Sequence, residues 1–240
     1  MGRGGFAMAL TVASVLATAG AAAGQERSEP RGAWGLSFVT GKPVGDLALF
    51  FDHGFGAQLD GAWPMSSDGR LRLRADIGVL VYGYERLRYC YSVPIGGRIE
   101  ADLTTTNNVV YAGIGPEVAL RLGALEPYLY GTTGLSYFTT VSSLGDEWGR
   151  ADWAETTNYS DLVMAWKLGG GMRMRVNRGS RPVSLDFGVE RHRNGVADFL
   201  TEGDIVDNPD GSITLYPNRS EADLTTFRFG ISFGIGGGRD

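Results

Sequence analysis

The segment around His192 holds the residues whose types and spacing most resemble a catalytic site. Glu190, His192 and Asn194 alternate along it, so their side chains share one face of an extended chain. A histidine oriented by a carboxylate can act as a general base, but hydrolysis through such a base also needs a nucleophile within hydrogen-bond reach. No serine lies near His192, and both of its neighbours are arginines. We therefore predict that the chain is not an enzyme and that His192 is hydrogen-bonded to a carboxylate; a hydrolase centred on His192 is the alternative.

Carboxylates concentrate in two segments, residues 142–161 and 193–222, and in each they outnumber the arginines by four. Clustered carboxylates suit hard divalent cations. Three carboxylates of the second segment form a candidate cation-binding loop: Asp204, Asp207 and Asp210. Their spacing is not that of an EF-hand, however, and residues 208–211, Asn-Pro-Asp-Gly, are strong turn formers. We therefore favour a β-hairpin that projects from the fold over a metal site.

The composition excludes several classes of function. The 240 residues carry a net charge of −5, which provides no basic surface for nucleic acid. A single cysteine, Cys90, excludes a disulfide framework and a thiolate zinc cluster, and two histidines leave little material for another metal site. We therefore predict no metal, no cofactor and no nucleic-acid partner.

The first 23 residues have the pattern of a secretory signal peptide. Arg3 supplies a positive charge, residues 6–19 are uncharged and mostly apolar, and Ala21-Ala22-Ala23 is a small-residue cleavage pattern. No apolar run of about 18 residues follows, so no membrane-spanning helix is expected. The chain is therefore predicted to be exported.

Beyond the signal the chain alternates between apolar and polar residues over eight stretches. In the last of them, Phe227, Phe229 and Ile231 alternate with Arg228 and Gly230. A side-chain period of two is that of a β-strand with unlike faces. The other seven stretches lie in residues 34–38, 55–63, 71–81, 110–122, 129–137, 162–174 and 183–192.

The connections between these stretches alternate in length. The short ones are rich in turn formers and lie at residues 64–69, 123–127 and 177–182. The long ones lie at residues 43–53, 85–106, 142–161 and 193–222. Short turns at one end and long loops at the other predict an antiparallel meander with both termini at the turn end. The predicted fold class is all-β: a single-domain, eight-stranded antiparallel up-and-down transmembrane β-barrel.

The chemistry of the polar faces decides which face points inward. A soluble lipocalin-like barrel encloses an apolar ligand cavity and covers its exterior with polar side chains. Here the polar faces carry glycine, serine and arginine–carboxylate sets, and the rigid guanidinium fork suits buried pairing with carboxylates. We predict a lumen charge network made of Arg72, Arg74, Asp76, Glu117, Arg121, Lys167, Arg173, Arg175, Asp186, Glu190 and Arg228. Asp60 lies on the same face. A soluble secreted lipid-binding barrel is the alternative.

Several details of the predicted barrel can be specified. Eight strands leave an interior just wide enough for side chains, so we predict a closed lumen rather than a porin. The apolar run of residues 47–51 is expected to act as a buried plug; insertion into the outer leaflet and a binding patch are the alternatives. Pro116 removes a hydrogen-bond donor and predicts a bulge in the fourth strand. Trp34 and Trp63, near strand ends, are expected to belong to an interfacial aromatic girdle.

Three features of the chain resemble bacterial outer-membrane β-barrel domain proteins, relatives in architecture of the small OmpA/OmpX-type barrels. They are Gly41-Lys42-Pro43-Val44-Gly45-Asp46 with Gly54-Phe55-Gly56, the alternating aromatic final strand, and the loop of residues 202–211. The resemblance covers nearly the whole mature chain. It implies a place in the cell outer membrane, contact with its lipids, and insertion by the barrel-assembly machinery through a final strand that ends in an aromatic residue.

The chain is predicted to divide into a signal peptide (1–23), a short periplasmic segment (24–33), the barrel (34–236) and a C-terminal tail (237–240). The tail displaces the final aromatic signal, since five residues follow Ile235. The expected role is structural or binding, by adhesion or surface interaction through the acidic outer loops, with a surface ligand that the sequence does not identify. Outer-membrane lipid A deacylases use a histidine, a serine and an acidic residue, so a lipid-A-modifying hydrolase centred on His192 is the alternative.

Overall fold

The computed structural model describes residues 32–92, 98–146, 152–177, 182–201, 203–208 and 213–235. The predicted signal peptide (1–23), residues 24–31 of the predicted periplasmic segment, and the predicted tail (237–240) lie outside the described residues. Within the described part, no helix is both long enough and apolar enough to cross a membrane.

Eight strands of the described residues close into one antiparallel barrel. They are β1 (Gly32–Pro43), β2 (Gly54–Pro64), β3 (Leu71–Ser92), β4 (Arg98–Ala119), β5 (Leu125–Asp146), β6 (Asp152–Arg175), β7 (Val183–Asn194) and β12 (Leu224–Ile235). Each pairs with its neighbour in chain order, and β12 returns to pair with β1 along its whole length. The connection between β7 and β12 holds β8 (Val196–Phe199), β9 (Ile205–Asp207), β10 (Ile213–Leu215) and β11 (Asn218–Glu221). The predicted fold class, an all-β up-and-down barrel of eight antiparallel strands, is confirmed.

The two faces of the barrel wall differ in polarity as predicted: the outer face is apolar and the lumen face is polar. Outward-pointing Phe38, Ile77 and Phe229 have 54, 51 and 54% of their surface exposed, whereas the charged residues of the other face are buried. An apolar exterior around a polar interior is the reverse of a soluble barrel and is the arrangement of barrels that span bacterial outer membranes. The lipocalin-like alternative is therefore wrong. Near the turn end, Trp34 stacks on Phe233 with 4.6 Å between ring centroids, and both lie on the lipid-facing side.

The barrel wall is twice as tall on one side as on the other. β1, β2, β7 and β12 have 11 or 12 residues, which is about the length that crosses a bilayer. β3, β4, β5 and β6 have 22 to 24. The prediction of long loops at residues 85–106 and 142–161 is therefore wrong, because most of these residues continue the strands. We call the continuation, residues 84–92, 98–106, 141–146 and 152–157, the extension.

The predicted bulge at Pro116 is also wrong. Pro116 pairs with Leu73 in unbroken register on β3, and the β4–β5 register is the same before and after it. A proline loses one ladder hydrogen bond but inserts no extra residue, so the strands need not shift. The register shifts occur instead between Val81 and Gly83 on the β3 side, and in the β5–β6 pair between Thr140 and Val141 and between Leu144 and Gly145.

The loop end is covered by short elements. A 3-10 helix (Gly45–Leu49) follows β1, and β8 pairs with β11. The backbone nitrogen of Val44 donates to the Asp223 oxygen at 3.0 Å, which ties the first connection to the last. β9 and β10 form the hairpin predicted from the turn-forming residues between them.

Candidate functional site

The turn-end half of the lumen is filled by an ionic layer centred on Glu117. Arg173 donates through both terminal nitrogens to the two Glu117 oxygens, at 2.8 and 2.9 Å, and Arg74 donates at 2.9 Å. Arg72 Nη1 lies 3.4 Å from Glu117 Oε1. All four side chains are buried. One carboxylate thus holds three guanidinium groups, two from β3 and one that reaches across the lumen from β6.

Glu126 is a second acceptor of the same arginines. Arg72 binds it with both terminal nitrogens, at 2.7 and 2.9 Å, Arg173 at 3.0 Å, and Arg121 at 3.2 Å. The sequence prediction placed Glu126 in a turn and omitted it from the network. β5 begins at Leu125, one residue earlier, so Glu126 is a strand residue that points inward.

A second ionic hub lies at mid-height of the barrel, around Glu190. Its Oε1 accepts hydrogen bonds from Tyr130 and, at 3.0 Å, from Gln58, and Arg228 Nε lies 2.6 Å from it. Oε2 lies 2.9 Å from His192 Nε2. Asp60 links the two hubs, since it lies 3.2 Å from both Arg74 Nη2 and Arg228 Nη1.

The remaining predicted members of the network divide into two groups. Lys167 pairs with Asp76, and Asp186 accepts a hydrogen bond from the Tyr128 hydroxyl at 2.5 Å and lies 3.4 Å from Arg173 Nε. Arg121 and Arg175 lie at the turn-end rim instead, and both are only half-buried. The structure thus brings together nine of the eleven predicted residues inside the lumen and leaves two at its mouth.

Three tyrosines complete the packing and were not part of the predicted network. Tyr111, Tyr128 and Tyr130 are buried, and Arg74 lies 4.3 Å from the ring centroid of Tyr130. Glycines on neighbouring strands make room for these rings. A β-carbon on Gly78 would overlap the Tyr111 ring, and one on Gly169 would overlap that of Tyr130. The alternation on β5 already placed Tyr128 and Tyr130 on the polar face, so their inward direction was visible in the sequence.

The loop end of the lumen is apolar rather than charged. Leu47 of the 3-10 helix and Phe199 of β8 are fully buried there. The apolar cluster that they join also contains Val39, Leu80, Tyr82, Val109, Tyr111, Phe138, Ala197, Ala222 and Leu224. The predicted polar lumen is therefore incomplete: an ionic layer closes the turn-end half, and an apolar plug closes the loop end. The expectation that residues 47–51 contribute to the plug is confirmed for Leu47, with Phe50 and Phe51 packed against the cluster.

His192 lies inside this packing and not in an open cleft. The same ring nitrogen, Nε2, faces Glu190 Oε2 at 2.9 Å and Thr226 Oγ1 at 3.1 Å. His192 and Thr226 are both buried. In a catalytic triad the histidine uses one ring nitrogen for its carboxylate and the other for the nucleophile, whereas here Nε2 faces both the Glu190 carboxylate and the Thr226 hydroxyl.

Of the three carboxylates of the candidate cation-binding loop, only the Asp204 side chain lies among the described residues. Asp204 Oδ2 accepts hydrogen bonds from the Thr201 backbone nitrogen at 2.7 Å, from its hydroxyl at 2.8 Å, and from Asn218. This carboxylate therefore fixes a turn. The Asp207 side chain and Asp210 lie outside what the structure describes. Within the described part, no group of three or more histidine, cysteine or acidic side chains could hold a metal ion.

The extension presents two faces and a free edge. On the face that continues the lumen, Ser142 Oγ lies 2.8 Å from Thr105 Oγ1 and accepts a hydrogen bond from Asn158 at 2.7 Å. β2 pairs with β3 only as far as Val81, so the β3 edge of the extension has no strand beside it among the described residues. On the outer face, Asp102 lies between Arg86 and Arg88.

The Asp102 ion pairs are expected to stabilise the extension only above acidic pH. The hydrogen bond from Arg86 lowers the pKa of the Asp102 carboxyl, and Arg88 acts in the same direction. Because the folded pKa lies below the unfolded value of about 3.9, the contribution is present above that value and is lost as the pH falls through the folded pKa. At neutral pH, Asp102→Asn is expected to speed amide hydrogen exchange in residues 84–88 and 102–106. Below the folded pKa the variant and the parent should exchange alike, and equal rates at neutral pH would contradict the assignment.

No family model matches the chain, and no curated protein matches its sequence. The fold is similar to that of solved bacterial barrels. The attachment invasion locus protein Ail of Yersinia pestis, solved with the heparin analogue sucrose octasulfate, is 10% identical; the match covers 85% of this chain and 98% of that one, with a TM-score of 0.44. Neisserial surface protein A is 12% identical, with coverage of 85% and 96% and a TM-score of 0.45. The outer membrane protein OprG of Pseudomonas aeruginosa is 11% identical, with coverage of 88% and 99% and a TM-score of 0.35.

Proposed function

We propose that the chain is an outer-membrane surface protein in which a closed barrel serves as the base and the extension is the binding surface. The observation that carries the proposal is the unequal height of the wall. β3 has 22 residues where its neighbour β2 has 11. At about 3.3 Å per residue, the additional residues reach about 35 Å beyond the shorter strands. Crossing the membrane does not require them, since β1, β2, β7 and β12 cross with half that length.

Orientation follows from the same architecture. Outer-membrane barrels keep short turns and both termini in the periplasm and place long connections outside the cell. The extension then stands in the external medium. The apolar belt would contact the lipids of the outer membrane, and β12, with Phe233 near its end, would be the strand that the barrel-assembly machinery receives.

The side chains of the extension suit recognition better than transport or catalysis. The lumen-side face combines uncharged hydrogen-bonding groups, such as Thr105 and Ser142, with a cross-strand row of Leu87, Leu103 and Leu144. Leu87 is 42% exposed. An apolar row beside polar groups is the usual make-up of an interface. The free edge of β3 could also add a strand from a partner, and Arg86 and Arg88 beside it would restrict which strands pair.

Two carboxylates of the last loop, which we expected to be available to ligands, support the loop itself: Asp198 pairs with Arg219 at 3.3 Å, and Asp204 fixes its turn. Asp161 of β6 also holds the loop, because it accepts a hydrogen bond from the Asp198 backbone nitrogen at 2.9 Å. This leaves the extension, rather than the acidic loop, as the surface on which we place binding.

Removing the extension is expected to abolish adhesion while leaving the barrel intact. In the trimmed variant, residues 84–106 and 141–158 are each replaced by Asn-Gly, a two-residue turn that joins the paired residues Gly83 and Asn107 in one case and Thr140 and Tyr159 in the other. We expect a heat-modifiable gel shift like that of the parent, which reports a folded barrel. Cells that display the variant should lose adherence to immobilised matrix glycoproteins and to one another.

The matched control removes external residues elsewhere. Shortening the β9–β10 hairpin takes away part of the loop-end surface but none of the extension, and adherence should be retained. A trimmed barrel that adheres as well as the parent would overturn the proposal.

A further inference from the structure

A groove of about 430 Å³ lies on the lipid-facing side of the wall, where β1, β2 and β3 approach the turn end. The apolar residues that line it are Trp34, Leu59, Gly61, Trp63, Ala75 and Ile77. The two other lining residues, Asp60 and Asp76, form ion pairs inside the lumen, so only their backbone borders the groove. All eight belong to residues 34–77, which the structure describes without a gap.

The groove is formed by two small residues in one cross-strand row. Trp34 pairs with Gly61 and Gly61 pairs with Ala75, so from β2 to β3 this row presents a single methyl group. The next row toward the loop end consists of Leu36, Leu59 and Ile77. Trp63 lies in the row toward the turn end. Large side chains therefore surround a position that has almost no side chain of its own.

The two tryptophans that border the groove are held in place by other contacts. Trp34 stacks on Phe233 of β12, which is on the side away from β2. The Trp63 ring lies against Gly61, since a β-carbon there would be 2.6 Å from it. Because both rings are fixed before a ligand arrives, little conformational entropy is lost when the groove is filled.

We propose that the groove holds one acyl chain of a phospholipid whose headgroup lies at the turn end of the barrel. The groove is continuous with the apolar belt that faces lipid, and tryptophans are enriched where acyl chains meet headgroups. Lipid is as apolar as the wall, so burial of apolar surface alone does not retain one lipid over another. Retention comes from van der Waals contact with a shape that is already formed.

The turn between β2 and β3 offers a partner for the headgroup. Asp68 and Arg70 lie in this turn, pair at 3.4 Å and are both half-exposed. Arg70 is three residues from Leu73, the cross-strand partner of Trp63, which is about 10 Å along the strand. Because Arg70 meets Asp68 through Nε, its two terminal nitrogens can donate to a phosphate through charge-assisted hydrogen bonds. A phospholipid in the groove thus has its phosphate within reach of Arg70.

Native mass spectrometry of the full chain tests the groove, with dioleoyl phosphatidylethanolamine as the probe. We expect one lipid to bind saturably and to stay bound when the detergent is removed. Ala75→Phe fills the groove and is expected to weaken the affinity at least about tenfold. Ala57→Phe is the matched control, because Ala57 is also an exposed, lipid-facing residue of β2 but does not line the groove, and it should bind as the parent does. Both variants should keep the heat-modifiable gel shift.

The contribution of the headgroup is measured with dioleoylglycerol, which has the same chains and no phosphate. Arg70→Gln is expected to weaken the affinity for the phospholipid about threefold and to leave that for dioleoylglycerol unchanged. Equal affinity of the parent for both lipids would overturn the assignment to a phospholipid.

Three other outcomes would overturn the site. The first is the absence of a saturable lipid on the parent chain, or equal affinity of the parent and Ala75→Phe. The second is binding that appears only when residues 24–31 are deleted, which would assign the groove to that segment. The third is a dimer that Ala75→Phe separates, which would assign the groove to a second copy of the chain. The extension takes no part in any of these measurements, so this inference and the proposed function fail separately.

Discussion

Replacing Glu117 with alanine is expected to cost the barrel about 3–5 kcal/mol of its free energy of unfolding. Glu117 is fully buried and is the shared counter-charge of Arg72, Arg74 and Arg173. Removing the carboxylate leaves three guanidinium groups packed together where water cannot solvate them. The measurement is urea unfolding of the full chain in lipid, followed by loss of the heat-modifiable gel shift.

The loss of stability is expected to be partial, because all three arginines keep other partners. Arg72 retains Glu126, Arg74 retains Asp60, and Arg173 retains Asp186 and Glu126. Glu117→Gln keeps the side-chain volume and a hydrogen-bonding oxygen but not the charge, so it should destabilise less than alanine does. Glu155→Gln, exposed on the extension, should change the free energy of unfolding by no more than about 0.5 kcal/mol. A Glu117→Ala barrel as stable as the parent would show that the ionic layer does not hold the wall together.

The membrane-height part of the wall could be predicted from the sequence because its two faces meet different solvents. In β12, Phe227, Phe229 and Ile231 face lipid while Arg228 and Gly230 face the lumen, so the strand period is visible as alternating hydrophobicity. The inward direction of Glu117, Arg173 and Glu190 followed from the same period. A hydrophobic period is the strongest sign of secondary structure that a single sequence offers.

The extension could not be found by that argument. Both of its faces meet water, so the strands need no alternation of apolar and polar residues. The runs Thr104-Thr105-Thr106 and Thr156-Thr157 carried the remaining signal, since β-branched residues favour strands. That preference is weaker than a hydrophobic period, and the abundance of polar residues favoured the interpretation as loops.

The ion-pair partners within the lumen could not be predicted from the sequence, for a different reason. Arg72 and Glu117 are direct cross-strand neighbours, so correct strand register would have paired them. Arg173 lies on β6, which is not adjacent to β4, and it reaches Glu117 across the lumen. Contacts across the lumen depend on the closed shape of the barrel, which the local pattern does not encode.

Phe199→Ala is the second substitution for which we expect a large effect. It tests the apolar plug independently of the ionic layer. Phe199 is buried and packs on Phe50, Phe138 and Tyr82, with ring centroids 5.2, 6.1 and 6.4 Å away. Emptying such a site costs about 3–5 kcal/mol. Because about 1.4 kcal/mol is a factor of ten, the connection between β7 and β12 should become at least a hundredfold more sensitive to proteolysis. Tyr216→Ala, at an exposed position in the same connection, should leave the rate unchanged.

The ring contacts of Phe199 are with Phe50, Phe138 and Tyr82, so the ion pairs of the lumen should keep it closed when the apolar plug loosens. Planar-bilayer recordings of Phe199→Ala are therefore expected to show no steady conductance, as for the parent chain. The charged side chains from Glu126 through Glu117 and Asp60 to Glu190 form one connected set below the plug and are held from several strands at once. Steady conductance in Phe199→Ala would mean that the apolar plug alone closes the barrel. It would contradict our conclusion that the ionic layer and the apolar plug each close the lumen.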